Sequence, residues 1–185
     1  MGSVVAATPP GLGWKTGKEI LLLITDGDHY NETLLHAAGD VTSRFDQTVF
    51  LSANRPVSLL RPVLEDAKVP LDGIQFVDCI SAMTGIMPPR EDGVLFIESP
   101  TMLEKTALRA QQFLKRAKGT CCLVVDSLST LAVYNGEGAV GELVHNLVTA
   151  LRMQGTPAVL IVVETQAEEG LIETAASHCD RVVRL

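Results

Sequence analysis

Seven short apolar runs recur along the chain, each closed by turn residues and separated from the next by a segment of helical spacing. They are Ile20–Ile24, Thr48–Leu51, Ile74–Asp78, Val94–Ile97, Cys121–Asp126, Ala158–Val163 and Arg181–Leu185. Several are apolar without alternation, which marks strands covered on both faces. Strand and helix in strict succession imply crossover connections, hence a mostly parallel sheet between two helical layers. The expected fold class is α/β, a three-layer α/β/α sandwich.

The intervening segments supply the covering helices. Asn31–Arg44 places Leu34, Leu35, Ala38 and Val41, with Phe45 just beyond, on one side. Pro56 suits a first helical turn, ahead of a stripe of Leu59, Leu60, Val63 and Leu64. Helices are also predicted over 101–117, with Ser99 or Thr101 as cap, over 138–153 and over 167–178. Residues 81–92 carry Gly85, Pro88, Pro89 and three charges and read as a surface loop. With 185 residues the chain suits one domain, assigned to 19–185 behind a lead-in segment, 1–18. Aromatics are only 4% of residues, so the core must be aliphatic.

The formal net charge of −7 comes without a basic run, which disfavours a nucleic-acid partner. Cys79, Cys121, Cys122 and Cys179 lie in or beside apolar runs without a C-x-x-C pair, and are expected to be buried reduced thiols, with Cys121 and Cys122 on opposite faces of one strand. No apolar run has the length of a membrane span, and no charged start precedes an apolar stretch, so a cytoplasmic location is expected.

In open α/β sheets ligands sit outside the carboxyl ends of the strands. Four of those ends carry recognisable motifs: Leu123-Val124-Val125-Asp126-Ser127-Leu128-Ser129-Thr130-Leu131 followed by Tyr134-Asn135, Phe76-Val77-Asp78-Cys79-Ile80-Ser81, Glu98-Ser99-Pro100-Thr101, and Cys179-Asp180-Arg181-Val182-Val183-Arg184-Leu185. In that order, from about residue 19 to the end, they resemble the RecA-like ATPases of the KaiC type. The resemblance implies a RecA-like sheet, and it makes Asp126 the acid that helps hold the magnesium of bound ATP.

The same comparison exposes what is missing. A phosphate-binding loop reads G-x-x-x-x-G-K-[ST], with backbone N–H groups curled around phosphate, a Lys on the β/γ charge and a hydroxyl on Mg²⁺. Here the junction is Asp26-Gly27-Asp28-His29-Tyr30-Asn31-Glu32-Thr33. Aligned on Thr33, Asp26 and Asn31 replace the glycines and Glu32 replaces the Lys. Asp26, Asp28 and Glu32 thus set three carboxylates where a triphosphate would lie, and the helix N-terminus alone does not offset them. The upstream Gly11–Glu19 segment contains Gly17-Lys18 but has the wrong spacing and precedes the strand. Ser52-Ala53-Asn54-Arg55-Pro56 stands where KaiC-type ATPases carry adjacent glutamates, one of which activates the attacking water.

The resulting expectation is a non-catalytic domain with no cofactor, no metal and no catalytic residue. Its vestigial site comprises Asp26, Gly27, Asp28, Asn31, Glu32, Thr33 and Asp126. Function would then lie in protein contacts, with a partner protein, with itself or with an active RecA-like relative, and the 81–92 loop with Met83, Ile86 and Met87 is a candidate contact element. Two alternatives stand beside it. One is weak regulatory ATP binding. The other is a haloacid dehalogenase-like phosphatase, with Asp26 as nucleophile and Asp28 as general acid around Mg²⁺; against it, Asn31 onward reads as immediate helix, leaving no room for that family's flap. A metal site from Asp26, Asp28, His29 and Glu32 lacks rigid ligand spacing. His36, His145 and His178 sit in helical patterns and read as packing or surface residues. Asp126 has a plain structural reading as well, an acid capping the turn that follows its strand.

Overall fold

The computed structural model describes residues 11–185. Seven strands form one sheet: β1 (Ile20–Thr25), β2 (Gln47–Ser52), β3 (Ile74–Asp78), β4 (Val94–Phe96), β5 (Cys121–Asp126), β6 (Ala158–Val163) and β7 (Arg181–Arg184). Their order is β4-β3-β2-β5-β6-β1-β7. Every pairing is parallel, so the sheet is wholly rather than mostly parallel.

Six helices connect the strands: α1 (Tyr30–Arg44), α2 (Val57–Asp66), α3 (Leu103–Arg116), α4 (Leu128–Asn135), α5 (Glu137–Gln154) and α6 (Glu169–His178). Two aliphatic cores form, one on each face of the sheet. Leu21, Leu23, Phe50 and Val124 point to the side of α1 and α2. Leu22, Ile24, Leu51 and Val125 point to the side of α3, α4, α5 and α6. This alternation is why the strand sequences are apolar throughout. Cys122 and Cys121 divide between the two faces as their adjacency demands.

Several local expectations need correction. Leu59 is 62% exposed, and α2 buries Val57, Leu60 and Leu64 instead. The helix opens one residue after Pro56, which turns that stripe. Neither Ser99 nor Thr101 caps α3: Met102 holds the cap position, while the two hydroxyls bond each other at 2.8 Å. Cys121 and Cys179 are half-buried. The 81–92 segment contains a 3-10 turn, Ser81–Thr84, that buries Ala82. Helix α4 carries no amphipathic stripe, and the sequence pattern misses it.

The described part of the lead-in is packed. Leu12 is buried, and Trp14 donates to Asp40 Oδ2 at 2.6 Å while lying edge-to-face on Phe45. The glycine-rich stretch there is a turn: Gly13 and Gly17 adopt positive φ, and Glu19 Oε2 accepts the Lys15 and Thr16 N–H groups.

Candidate functional site

Strands β2 and β5 are neighbours whose helices leave on opposite faces, α2 on one and α4 on the other. Such a switch point opens a crevice at the carboxyl ends. Ser52 and Asp126 face each other across it in register. Helix α1 starts from β1 and crosses above β6 and β5 on its way to β2, so its first turn overhangs this crevice.

That first turn fills it. The Tyr30 hydroxyl lies 2.6 and 2.8 Å from the two Asp126 carboxylate oxygens and donates its proton to them. Asp126 is fully buried and Tyr30 nearly so. Burial pushes the Asp126 carboxyl up to about 6, opposed by the Tyr30 hydrogen bond and by the charge of Arg55. Burial, with the Asp126 charge beside it, also raises the phenol well above its ordinary value. The Arg55 guanidinium lies 5.4 Å over the Tyr30 ring and donates to Asn31 Oδ1 at 2.8 Å. One latch thereby joins the β1–α1 junction, the end of β2 and the end of β5.

Asp126 does not cap the following turn, contrary to the simpler structural reading. Ser127 does so, accepting the Thr130 N–H at 3.2 Å. Ser127 can take that position because it lies one residue closer to α4.

The remaining site residues are brought to the junction but not to a shared ligand centre. Asp26 accepts the His29 N–H at 2.8 Å and contacts the His29 ring at 2.9 Å. That pairing lowers the Asp26 carboxyl and raises the His29 imidazole. Gly27, Asp28, Asn31 and Glu32 are exposed. Thr33 is buried and donates to Thr25 Oγ1 at 2.9 Å, so its hydroxyl is directed at the end of β1. A hollow of about 210 Å³ remains between His29, Glu32, Thr33, His36 and Leu185. Small-molecule pockets commonly enclose about 300–1,000 Å³. Among the described residues no three His, Cys, Asp or Glu side chains cluster as a metal centre. At the end of β2, Ser52 donates to the Arg55 carbonyl at 2.7 Å, and Asn54 is exposed.

Tyr30 and Arg55 are the residues that sequence reasoning misses. The only available signal is an aromatic residue within a strand-to-helix junction, in a chain with two tyrosines. Replacing Tyr30 by Phe keeps the ring and removes the donor. We expect a loss of about 1.5–3 kcal/mol, typical of a hydrogen bond to a charged partner. The Asp126 titration should also move upward, because the bond that lowers it is gone. NMR-detected carboxyl titration and urea melts check both, and an unchanged titration would break the assigned contact.

A family model described as "Family of unknown function (DUF7090)" matches residues 33–185. A search among curated proteins gives no match. Solved structures are similar across most of the chain. A KaiC-like protein from Pyrococcus horikoshii shares 15% identity at a TM-score of 0.63, over 94% of this chain and 73% of that one. An uncharacterized P. horikoshii protein, solved with an unknown peptide, shares 13% at 0.62, over 90% and 77%. The flagellar accessory protein FlaH from Methanocaldococcus jannaschii shares 9% at 0.59, over 91% and 71%. The fold is RecA/KaiC-like. Among the described residues no helix is long and apolar enough to cross a membrane.

Proposed function

The chain belongs to the DUF7090 family, and from that premise we propose that it is a non-catalytic RecA/KaiC-like domain that acts through protein contacts. The observation that carries this reading is the Tyr30–Asp126 hydrogen bond. The residue aligned with the magnesium-holding acid already has an internal donor, supplied by the first turn of α1.

Magnitudes support the same conclusion. Admitting a metal ion to Asp126 requires Tyr30 to leave. Departure sacrifices a charge-assisted hydrogen bond of about 1.5–3 kcal/mol and the burial of an aromatic ring, roughly 2 kcal/mol more. A triphosphate arriving there meets Asp26, Asp28 and Glu32 without a Lys to balance them. The helix N-terminus supplies about 1 kcal/mol at most of surface sites. These costs oppose the entry of metal and nucleotide. The stretch Ser52–Pro56, which stands where KaiC-type ATPases carry adjacent glutamates, instead carries Arg55, whose guanidinium lies over the Tyr30 ring.

Calorimetric titration with Mg-ATP should give no saturable heat up to millimolar nucleotide. Micromolar affinity would overturn the proposal, as would magnesium-dependent hydrolysis of an aryl phosphate abolished by Asp26→Asn. Light scattering without nucleotide should find a defined oligomer or a copurifying partner; a strict monomer without one would count against protein contact as the function.

A further inference from the structure

Away from the latch, the outer layer carries a groove between α3 and α5 with a volume of about 620 Å³. Its apolar lining is ordered in two short ridges. Leu103 and Ala107 lie one turn apart on α3, and Ala139 and Leu143 lie one turn apart on α5. Met102, 42% exposed, stands at one end. There the Asn135 amide donates to the Pro100 carbonyl at 3.0 Å and joins the end of α4 to the entry of α3.

Parallel ridges spaced i and i+4 form the surface into which the side-chain row of another helix packs. Alanines at 107 and 139 allow close approach. The groove offers no unpaired strand edge, so its shape suits a segment whose backbone hydrogen bonds are already satisfied internally. Charge narrows the choice. Glu104 from α3 and Glu142 from α5 flank the apolar floor, and among the described residues neither has an ion-pair partner. The one cation in the lining, Lys105, is committed to Glu98.

We propose that the α3–α5 groove docks a single amphipathic helix of a protein partner, with aliphatic residues toward Leu103, Ala107, Ala139 and Leu143 and Lys or Arg residues toward Glu104 and Glu142. The mode is helix-in-groove recognition, in which apolar anchors supply affinity and the two acids set orientation. It rests on the reading of this domain as a protein-contact module and assigns that contact a surface and a chemistry.

The probe is a fluorescent amphipathic helix of roughly four turns, with leucines at i, i+3, i+4 and i+7 and flanking lysines, compared with a twin carrying glutamates in place of the lysines. The full chain should bind the basic peptide saturably, and the acidic twin about tenfold more weakly or not at all. Glu104→Lys with Glu142→Lys should reverse the preference. Ala139→Trp, which fills the groove, should abolish binding of both; circular dichroism confirms that the variants are folded. No binding of the basic peptide, equal binding of the two peptides, or binding unchanged by Ala139→Trp would overturn the proposal. So would an oligomer that the two Glu→Lys changes dissociate while no peptide binds, which would make a second copy the occupant. Failure of the protein-contact reading as a whole appears separately, as Mg-ATP binding or as a monomer without partner.

Discussion

Asp126→Asn should stabilise the protein at neutral pH by about 2 kcal/mol, raising the melting temperature by roughly 4–8 °C. The Asp126 carboxyl lies at about 6 in the folded protein, because burial disfavours its charge. In an unfolded chain an Asp lies near 3.9. Between those values the folded state holds the proton and the unfolded state does not, so stability falls as pH rises through that window. Above about pH 6 the full penalty applies, and two pKa units correspond to about 3 kcal/mol. Asparagine mimics the protonated acid: its oxygen still accepts the Tyr30 hydroxyl, and it has no charge to bury. An unpaired amide hydrogen takes back about 1 kcal/mol. The advantage should therefore be complete at pH 7.5, shrink below pH 6 and turn into a deficit of up to about 1 kcal/mol at about pH 4 and below, where only the amide cost remains. Paired urea melts across that range check it. An Asn variant less stable at pH 7.5, or a difference that does not vary with pH, would sink the account.

The parts of this fold written in local pattern were legible in the sequence. Continuous apolar strands such as Leu21–Ile24 and Val159–Val163 declare burial on both faces, and alternating helices then dictate a parallel sheet. Helix α4 escaped because Leu128 and Leu131 face the core while Val133 and Tyr134 face solvent, which leaves no clean stripe over two turns. The stripe on α2 was misread at Leu59 because helix phase depends on where the first turn closes. The acids of the junction were legible as chemistry. Their consequence was not, because the Tyr30–Asp126 bond spans 96 residues of sequence and exists only once α1 crosses the sheet.

The counterpart of Asp126 is Asp78, at the end of β3, and there the same change should act in the opposite direction. Asp78 is fully buried, yet its carboxylate is saturated with donors. Oδ1 accepts the Ile80 and Ser81 N–H groups at 2.8 Å each. Oδ2 accepts the Val57 N–H at 2.8 Å and the Ser81 hydroxyl at 2.6 Å. Asp78→Asn keeps one accepting oxygen and turns an NH₂ toward a donor. Placed either way round, the amide leaves at least one buried backbone N–H without an acceptor, and an orphaned donor costs about 1–3 kcal/mol. Loss of the charge weakens the bonds that survive. We expect about 3 kcal/mol of destabilisation, with a melting temperature lower by roughly 6–12 °C. Since Asp78 ties the start of α2 to the 3-10 turn, hydrogen exchange and proteolysis over residues 81–92 should accelerate before global unfolding. Both substitutions exchange a carboxylate for an amide and remove one negative charge from a chain of net −7. Any effect of overall charge is thus common to both, and the difference of about 5 kcal/mol between them reports local donors alone. Measured shifts of the same sign and size would mean that the two carboxylates sit in equivalent environments. That would remove the distinction between an acid that holds the fold together and one that is buried at a cost to it.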